Sequence, residues 1–111
     1  GYGIWLWHLL HAARRDINIT YIVADNENYA LTTGQASPTT PLNILTKSTP
    51  SGNKTLPFNP IELVKSAGCK NVVDARDKDI KGLTETIKSA IQHQGFSHVH
   101  VNQSCPTWRR W

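Results

Sequence analysis

Ile19-Thr20-Tyr21-Ile22-Val23-Ala24, running into Asp25-Asn26-Glu27-Asn28, is the stretch that decides the fold. Its first six residues are mostly β-branched or aromatic and nearly continuous in apolarity, which suits a parallel strand covered on both faces. The polar cluster that ends it matters because open α/β sheets bind ligands beyond the carboxyl ends of their strands. Upstream, Ile4, Trp7, Leu10 and His11 recur at helical spacing, Ala12 and Ala13 favour helix, and Arg14 and Arg15 suit a last turn. The spacing predicts a helix over 4–15 whose start lies beside the first residue, with no Ser, Thr or Asp cap before Ile4.

Downstream, residues 29–58 are rich in Gly, Pro, Ser, Thr and Asn without a sustained period, so a long irregular segment is expected, of the kind that carries function. Asn59-Pro60-Ile61-Glu62 is a helix start, with Asn as cap and Pro at the first helical position, and Gly68 stops that helix. Asn71 to Arg76 reads as a strand. Ile80, Leu83, Ile87, Ala90 and Ile91 form one helical face closed by Gly95. From Ser97 to Gln103, His98, His100 and Asn102 alternate with Val99 and Val101, the pattern of a half-buried strand. Helix, strand, loop, helix, strand, helix, strand predicts an α/β fold, a partial parallel sheet flanked by helices. Three strands are few for such a sheet, so residues 1–111 read as a single segment of a domain whose first strand precedes Gly1.

Composition narrows the classes. The chain has 111 residues, enough for one small domain, and 39% hydrophobic residues exclude collagenous or wholly disordered chains. The +4 formal charge, from 12 basic and 8 acidic residues, is a mild bias toward anionic ligands. The longest apolar run is far below the roughly 20 residues of a membrane span, and the opening residues lack the order of a secretory leader. A cytoplasmic protein with no membrane partner is expected. Cys69 and Cys105 make neither a disulfide framework nor a four-cysteine zinc pattern, so they read as reduced thiols or as one ligand of a shared cluster. The sequons at Asn18, Asn53 and Asn102 matter only in a secreted chain and are discounted.

Asp25, Asn26 and Asn28 carry the hard oxygen ligands that magnesium prefers, and magnesium commonly bridges to phosphate. A magnesium-diphosphate site is one reading of them. A strand-ending turn is the other, since Asp and Asn favour turns in any case.

The run from Asp25 to Pro41, Asp-Asn-Glu-Asn-Tyr-Ala-Leu-Thr-Thr-Gly-Gln-Ala-Ser-Pro-Thr-Thr-Pro, resembles the thiamine-diphosphate-binding β subunit of the 2-oxoacid:ferredoxin oxidoreductases, the pyruvate and 2-oxoglutarate synthase family. His8 to Arg15 is similar to that family's helix after its diphosphate motif. Thr49-Pro50, Gly52-Asn53, Asn59 to Leu63, Ala67-Gly68, Ala75-Arg76, His93 to Phe96 and Cys105-Pro106-Thr107 stand in the family's order. The resemblance spans roughly residues 1 to 108. It implies a segment of a thiamine-diphosphate-binding fold, with Asn26 a side-chain ligand of Mg2+ and Asn28 a ligand through its backbone carbonyl. Asp25, Tyr29, Leu31, Gly34 and Gln35 would line the loop around thiamine diphosphate. A first aspartate, from a Gly-Asp-Gly strand, would fall just before Gly1. Cys105 matches the fourth ligand of the [4Fe-4S] cluster carried by some members, whose other three cysteines belong upstream.

The resemblance further implies oxidative decarboxylation of a 2-oxoacid to acyl-CoA, with an α subunit, coenzyme A and ferredoxin as partners and no nucleic acid. No residue here is nominated as a catalytic acid or base. The chain departs from the family pattern at Trp5 and Trp7, where glycines are expected and indoles would obstruct the cofactor, and at Thr33, where many members carry Lys. Trp5 and Trp7, together with the Gly-Asp-Gly strand and the three further cluster cysteines that are not among these residues, support the alternative of a truncated or diverged domain that acts through association, for which an open parallel-sheet edge would be the device. His8 with His11, and His98 with His100, share faces without a third ligand fixed by spacing. Trp108-Arg109-Arg110-Trp111 mixes stacking and cationic groups, a pattern read here as a tail or partner contact rather than a nucleic-acid surface.

Overall fold

In the computed structural model, which describes residues 1–109, helix α1 (Tyr2–Arg14) leads into strand β1 (Thr20–Asp25). A small antiparallel hairpin follows, β2 (Asn28–Tyr29) with β3 (Gln35–Ala36), and then α2 (Pro60–Ser66), β4 (Asn71–Arg76), α3 (Ile80–Gln92) and β5 (Ser97–Asn102). The three long strands form a parallel sheet in the order β1-β5-β4, with Ile22, Val99 and Val73 in register across it. Arg110 and Trp111, half of the terminal Trp-Arg-Arg-Trp motif, lie outside the described residues.

The caps form as the sequence implies. The Asn59 side chain accepts from the backbone N–H groups of Ile61 and Glu62, with Pro60 at the first helical position. Gly68 and Gly95 adopt positive φ where the chain leaves α2 and enters β5. The Asp16 carboxylate and Asn18 amide oxygen accept from the N–H groups of Phe96 and Gly95, so the turn after α1 also anchors the start of the central strand.

Two cores sandwich the sheet. Tyr2, Leu9 and Ala13 of α1 pack with Val23, Val64, Cys69 and Phe96 on one face. Ala75, Val99 and Val101 pack with Ala90 and Leu83 of α3 on the other. Three expectations are corrected here. The face of α1 that is buried carries Tyr2, Leu9 and Ala13, whereas Ile4 and Trp7 are 70% and 72% exposed. The opening of this helix is apolar on every side, so periodicity alone does not choose between faces. β1, expected to be covered on both faces, is an edge strand: Val23 is buried, but Ile22, on the face of Val99, stays 46% exposed because α3 covers β4 and β5. β5, expected to be half-buried, is the central strand, and Ser97 to Val101 are all buried. Its histidines tolerate burial because each finds polar partners within the protein.

The segment 29–58 is irregular but internally bonded. The buried Asn53 amide donates to the carbonyls of Thr40 and Thr55 at 2.9 and 3.0 Å, and its backbone pairs with Asn43 and Ile44. One of the three sequons is therefore occupied by structural hydrogen bonds. The β2-β3 hairpin within this segment was not expected, since two-residue strands leave no periodic signal.

Candidate functional site

Beyond the carboxyl end of β1 the chain makes two consecutive side-chain-capped turns. Asp25 Oδ1 accepts from Glu27 N at 3.0 Å, and Asn26 Oδ1 accepts from Asn28 N at 3.4 Å. Glu27 takes φ +60° between them, which turns the backbone sharply. Thr39 and Thr40 brace this turn from the far side of the hairpin: the Thr39 hydroxyl donates to Asp25 Oδ1 at 2.7 Å and the Thr40 hydroxyl to the Glu27 carbonyl. Arg109 adds a clasp, donating to Glu27 Oε1 at 3.1 Å and to Asn102 Oδ1 at 2.7 Å.

Asp25, Asn26, Asn28, Tyr29 and Leu31 open onto one cavity of about 350 Å³. Gly34 and Gln35 do not line it. Gly34 has φ +88° and lies against the ring of Trp108, where a Cβ would stand 2.8 Å from the indole, and Gln35 exchanges hydrogen bonds with Thr32. Asn28 is 6% exposed, and among the described residues its Oδ1 is a buried acceptor without a hydrogen-bond partner, although Nδ2 donates to the Asn26 carbonyl at 2.9 Å. A buried acceptor left in this way is a place for a cation or an ordered donor.

Sequence reasoning missed the other wall, Gly1 to Ile4 at the start of α1. Gly3 was the available signal: a Cβ there would overlap the Tyr29 hydroxyl, so the glycine lets the hairpin close on the helix. Trp5 and Trp7, expected to obstruct this region, do not line the cavity. Trp5 lines a shallow cleft along β1 and Trp7 faces outward. At Thr33 the Lys47 ammonium donates to the hydroxyl at 2.6 Å, so a lysine side chain reaches that position from a later turn.

Cys105 is buried beside this turn. Burial raises its thiol pKa, but backbone N–H groups of Trp108, Arg109 and Thr107 and the Asn28 side chain outweigh it and hold the thiol below its usual value. Cys69, at the far end of the sheet, is pushed up by burial. His8 stacks obliquely on Trp5 and His11 accepts from Arg14, while His98 and His100 both meet the Tyr2 hydroxyl. Among the described residues no helix is long and apolar enough to cross a membrane.

The thiamine pyrophosphate enzyme family, through its C-terminal TPP binding domain, matches residues 1–101. The chain is 46% identical over 99 residues to the 2-oxoglutarate oxidoreductase subunit KorB of Mycobacterium tuberculosis, covering 89% of this chain and 26% of that protein. It is 44% identical over 106 residues to the 2-oxoacid:ferredoxin oxidoreductase subunit beta of Saccharolobus solfataricus, covering 96% and 35%. The fold superimposes on the 2-oxoglutarate:ferredoxin oxidoreductase of Magnetococcus marinus, solved with 2-oxoglutarate, coenzyme A and succinyl-CoA bound, with a TM-score of 0.95 and 36% identity, over 99% of this chain and 38% of that one. The chain thus spans about a quarter to two fifths of the length of these relatives. The chain therefore belongs to the thiamine pyrophosphate enzyme family, by its C-terminal binding domain, and is similar there to the β subunits of 2-oxoacid:ferredoxin oxidoreductases.

Proposed function

We propose that this chain forms the magnesium and diphosphate turn of a 2-oxoacid:ferredoxin oxidoreductase β subunit. The observation that carries the proposal is the Asp25-to-Asn28 turn, whose oxygen-rich residues meet one cavity. This donor set fits Mg2+, a hard cation that takes carboxylate, amide and backbone oxygens together with phosphate. Asn26 would bind the ion through its side chain and Asn28 through its main-chain carbonyl. Asp25, anchored by Thr39 and the Glu27 N–H, would hold its carboxyl group in place against the site. Tyr29 and Leu31, with Val23 and Ile4, would give the cavity an apolar wall. Gly34 and Gln35 would act one layer behind, by holding the hairpin's shape.

Thiamine diphosphate, when bound, supplies the nucleophilic carbon on which a 2-oxoacid loses carbon dioxide. The chain's own contribution is position and charge neutralisation. Cys105, buried beside the turn, would be one ligand of a [4Fe-4S] cluster whose other thiolates come from elsewhere in a longer polypeptide. An α subunit, ferredoxin and coenzyme A complete the assembly, and a cytoplasmic setting suits reduced thiols. The ligands held by the M. marinus protein favour 2-oxoglutarate as the 2-oxoacid.

Calorimetric titration of the chain with thiamine diphosphate and Mg2+, with EDTA as control, tests the site. Saturable, magnesium-dependent heat that weakens at least tenfold in Asn26→Ala is expected. Heat that is unchanged by EDTA or by that substitution overturns the magnesium assignment. A second reading, a non-catalytic domain acting through association, draws on the exposed edge of β1 with Ile22. Light scattering that shows concentration-dependent dimers, together with no cofactor heat, would favour it.

A further inference from the structure

Beneath the candidate site lies a chain of polar contacts that the proposed function does not use. His98 Nδ1 is 3.0 Å from the Tyr21 carbonyl oxygen, His98 Nε2 is 2.9 Å from the Tyr2 hydroxyl, and that hydroxyl is 2.7 Å from His100 Nδ1. His100 Nε2 in turn faces Asp25 Oδ2 at 3.9 Å. His98 is fully buried, and Tyr2 and His100 are 5% and 8% exposed, so the contacts close inside the protein. The rings of Tyr2 and His100 stack with centroids 5.7 Å apart, which fixes both in orientation.

Donor and acceptor arithmetic gives this chain a direction. A carbonyl only accepts, so the proton of His98 sits on Nδ1. Burial keeps the His98 ring neutral, its pKa pushed down to about 4, which leaves Nε2 as an acceptor. The Tyr2 hydroxyl therefore donates to His98. Burial first, and then the charges of Asp25 and Asp74, hold the Tyr2 phenol above its usual pKa, so it keeps the single proton it gives away. The contact between Tyr2 and His100 then requires His100 to carry a proton on Nδ1 and donate to the phenol oxygen. His100 Nε2 is left turned toward Asp25, in a cavity that Asp74, Glu27 and Glu62 also line.

We infer that Tyr2, His98 and His100 form a directional hydrogen-bond relay in which both histidines carry a proton on Nδ1, and that Tyr2 and His100 are positioning residues for the Asp25 carboxylate. Asp25 is held at Oδ1 by Thr39 and the Glu27 N–H, and the relay sets what its Oδ2 meets from the core side. The link to cofactor binding rests on the proposed magnesium-diphosphate reading, but the tautomers do not.

Histidine ring 15N shifts of the chain without added cofactor, read by long-range 1H–15N correlation, test the relay. Both His98 and His100 are expected as Nδ1–H. In Tyr2→Phe, which keeps the ring packed against Phe58, His100 loses its acceptor and its proton is expected to move to Nε2, facing Asp25, while His98 stays Nδ1–H on the Tyr21 carbonyl. The Asp25 side-chain 13C carboxyl shift is expected to move in Tyr2→Phe and to stay in Leu9→Val, which disturbs the same core without touching the relay. An Nε2–H tautomer of His100 in the unmodified chain, or His100 shifts unchanged in Tyr2→Phe, overturns the direction. A static Asp25 signal overturns the positioning role. Either result is independent of whether magnesium and thiamine diphosphate bind, so the two proposals fail separately.

Discussion

Gly34→Ala separates two reasons for a glycine in the loop after the candidate site. Resemblance places this residue beside the cofactor, whereas the fold gives it a job within the chain: φ is +88°, and a Cβ would stand 2.8 Å from Trp108 Cε3 and 2.9 Å from Cδ2. An L residue at such a φ costs about 1 to 2 kcal/mol. Forcing a methyl against an indole costs about 1 to 3 kcal/mol if the ring is held. Trp108 is 40% exposed, so part of that contact relaxes as the ring swings out. A total of about 2 to 3 kcal/mol is expected, a large share of the about 5 to 15 kcal/mol that holds a small domain. Urea unfolding followed by far-UV circular dichroism should show the midpoint falling by about 0.7 to 3 M, since m is about 1 to 3 kcal/mol per M for a small domain. Repeating the substitution in a Trp108→Ala background removes the steric part and leaves the backbone part, so the cost should drop to about 1 to 2 kcal/mol. Equal costs in both backgrounds would refute the contact with Trp108. A cost below about 0.5 kcal/mol would refute the strained backbone as well.

Leu9→Ala should lose about 2 to 5 kcal/mol in the same assay, whereas Ile4→Ala on the exposed face of α1 should change stability by less than about 0.5 kcal/mol. The reverse order would restore the helix face that periodicity alone suggested. Asn59→Ala should lower stability by about 1 kcal/mol by freeing the N–H groups of Ile61 and Glu62, and Asn59→Asp should recover most of it. His98 supplies a pH dependence. Its folded pKa of about 4 lies below the ordinary 6.5, so between these values the unfolded chain binds more protons. The stability held by neutral His98 is complete above pH 6.5 and falls by up to about 3 kcal/mol as pH drops toward 4. His98→Phe should flatten the slope of the urea midpoint across that window, and an unchanged slope would place the titration elsewhere.

Local chemistry carried much of the fold into the sequence. Asn59-Pro60, Gly68 and Gly95 punctuate the chain wherever they stand, because a cap or a positive φ involves only neighbouring residues. The Asp25-to-Asn28 turn was legible for the same reason, since each side chain bonds the backbone two residues on. Strand order was not. β1 has the more apolar sequence and lies at the edge, while β5, with two histidines, lies at the centre, because Tyr2 and the Tyr21 carbonyl satisfy rings that hydropathy would leave in water. Those partners are up to 98 residues away along the chain, beyond any local pattern. Tertiary packing likewise chose the buried face of α1, brought Gly3 under Tyr29, and laid Trp108 on Gly34. Residue types and short spacings determined which segments are helix, strand and oxygen-rich turn. Only the assembled sheet decided which polar groups are buried together, because burial and hydrogen-bond partnership are properties of contacts between segments.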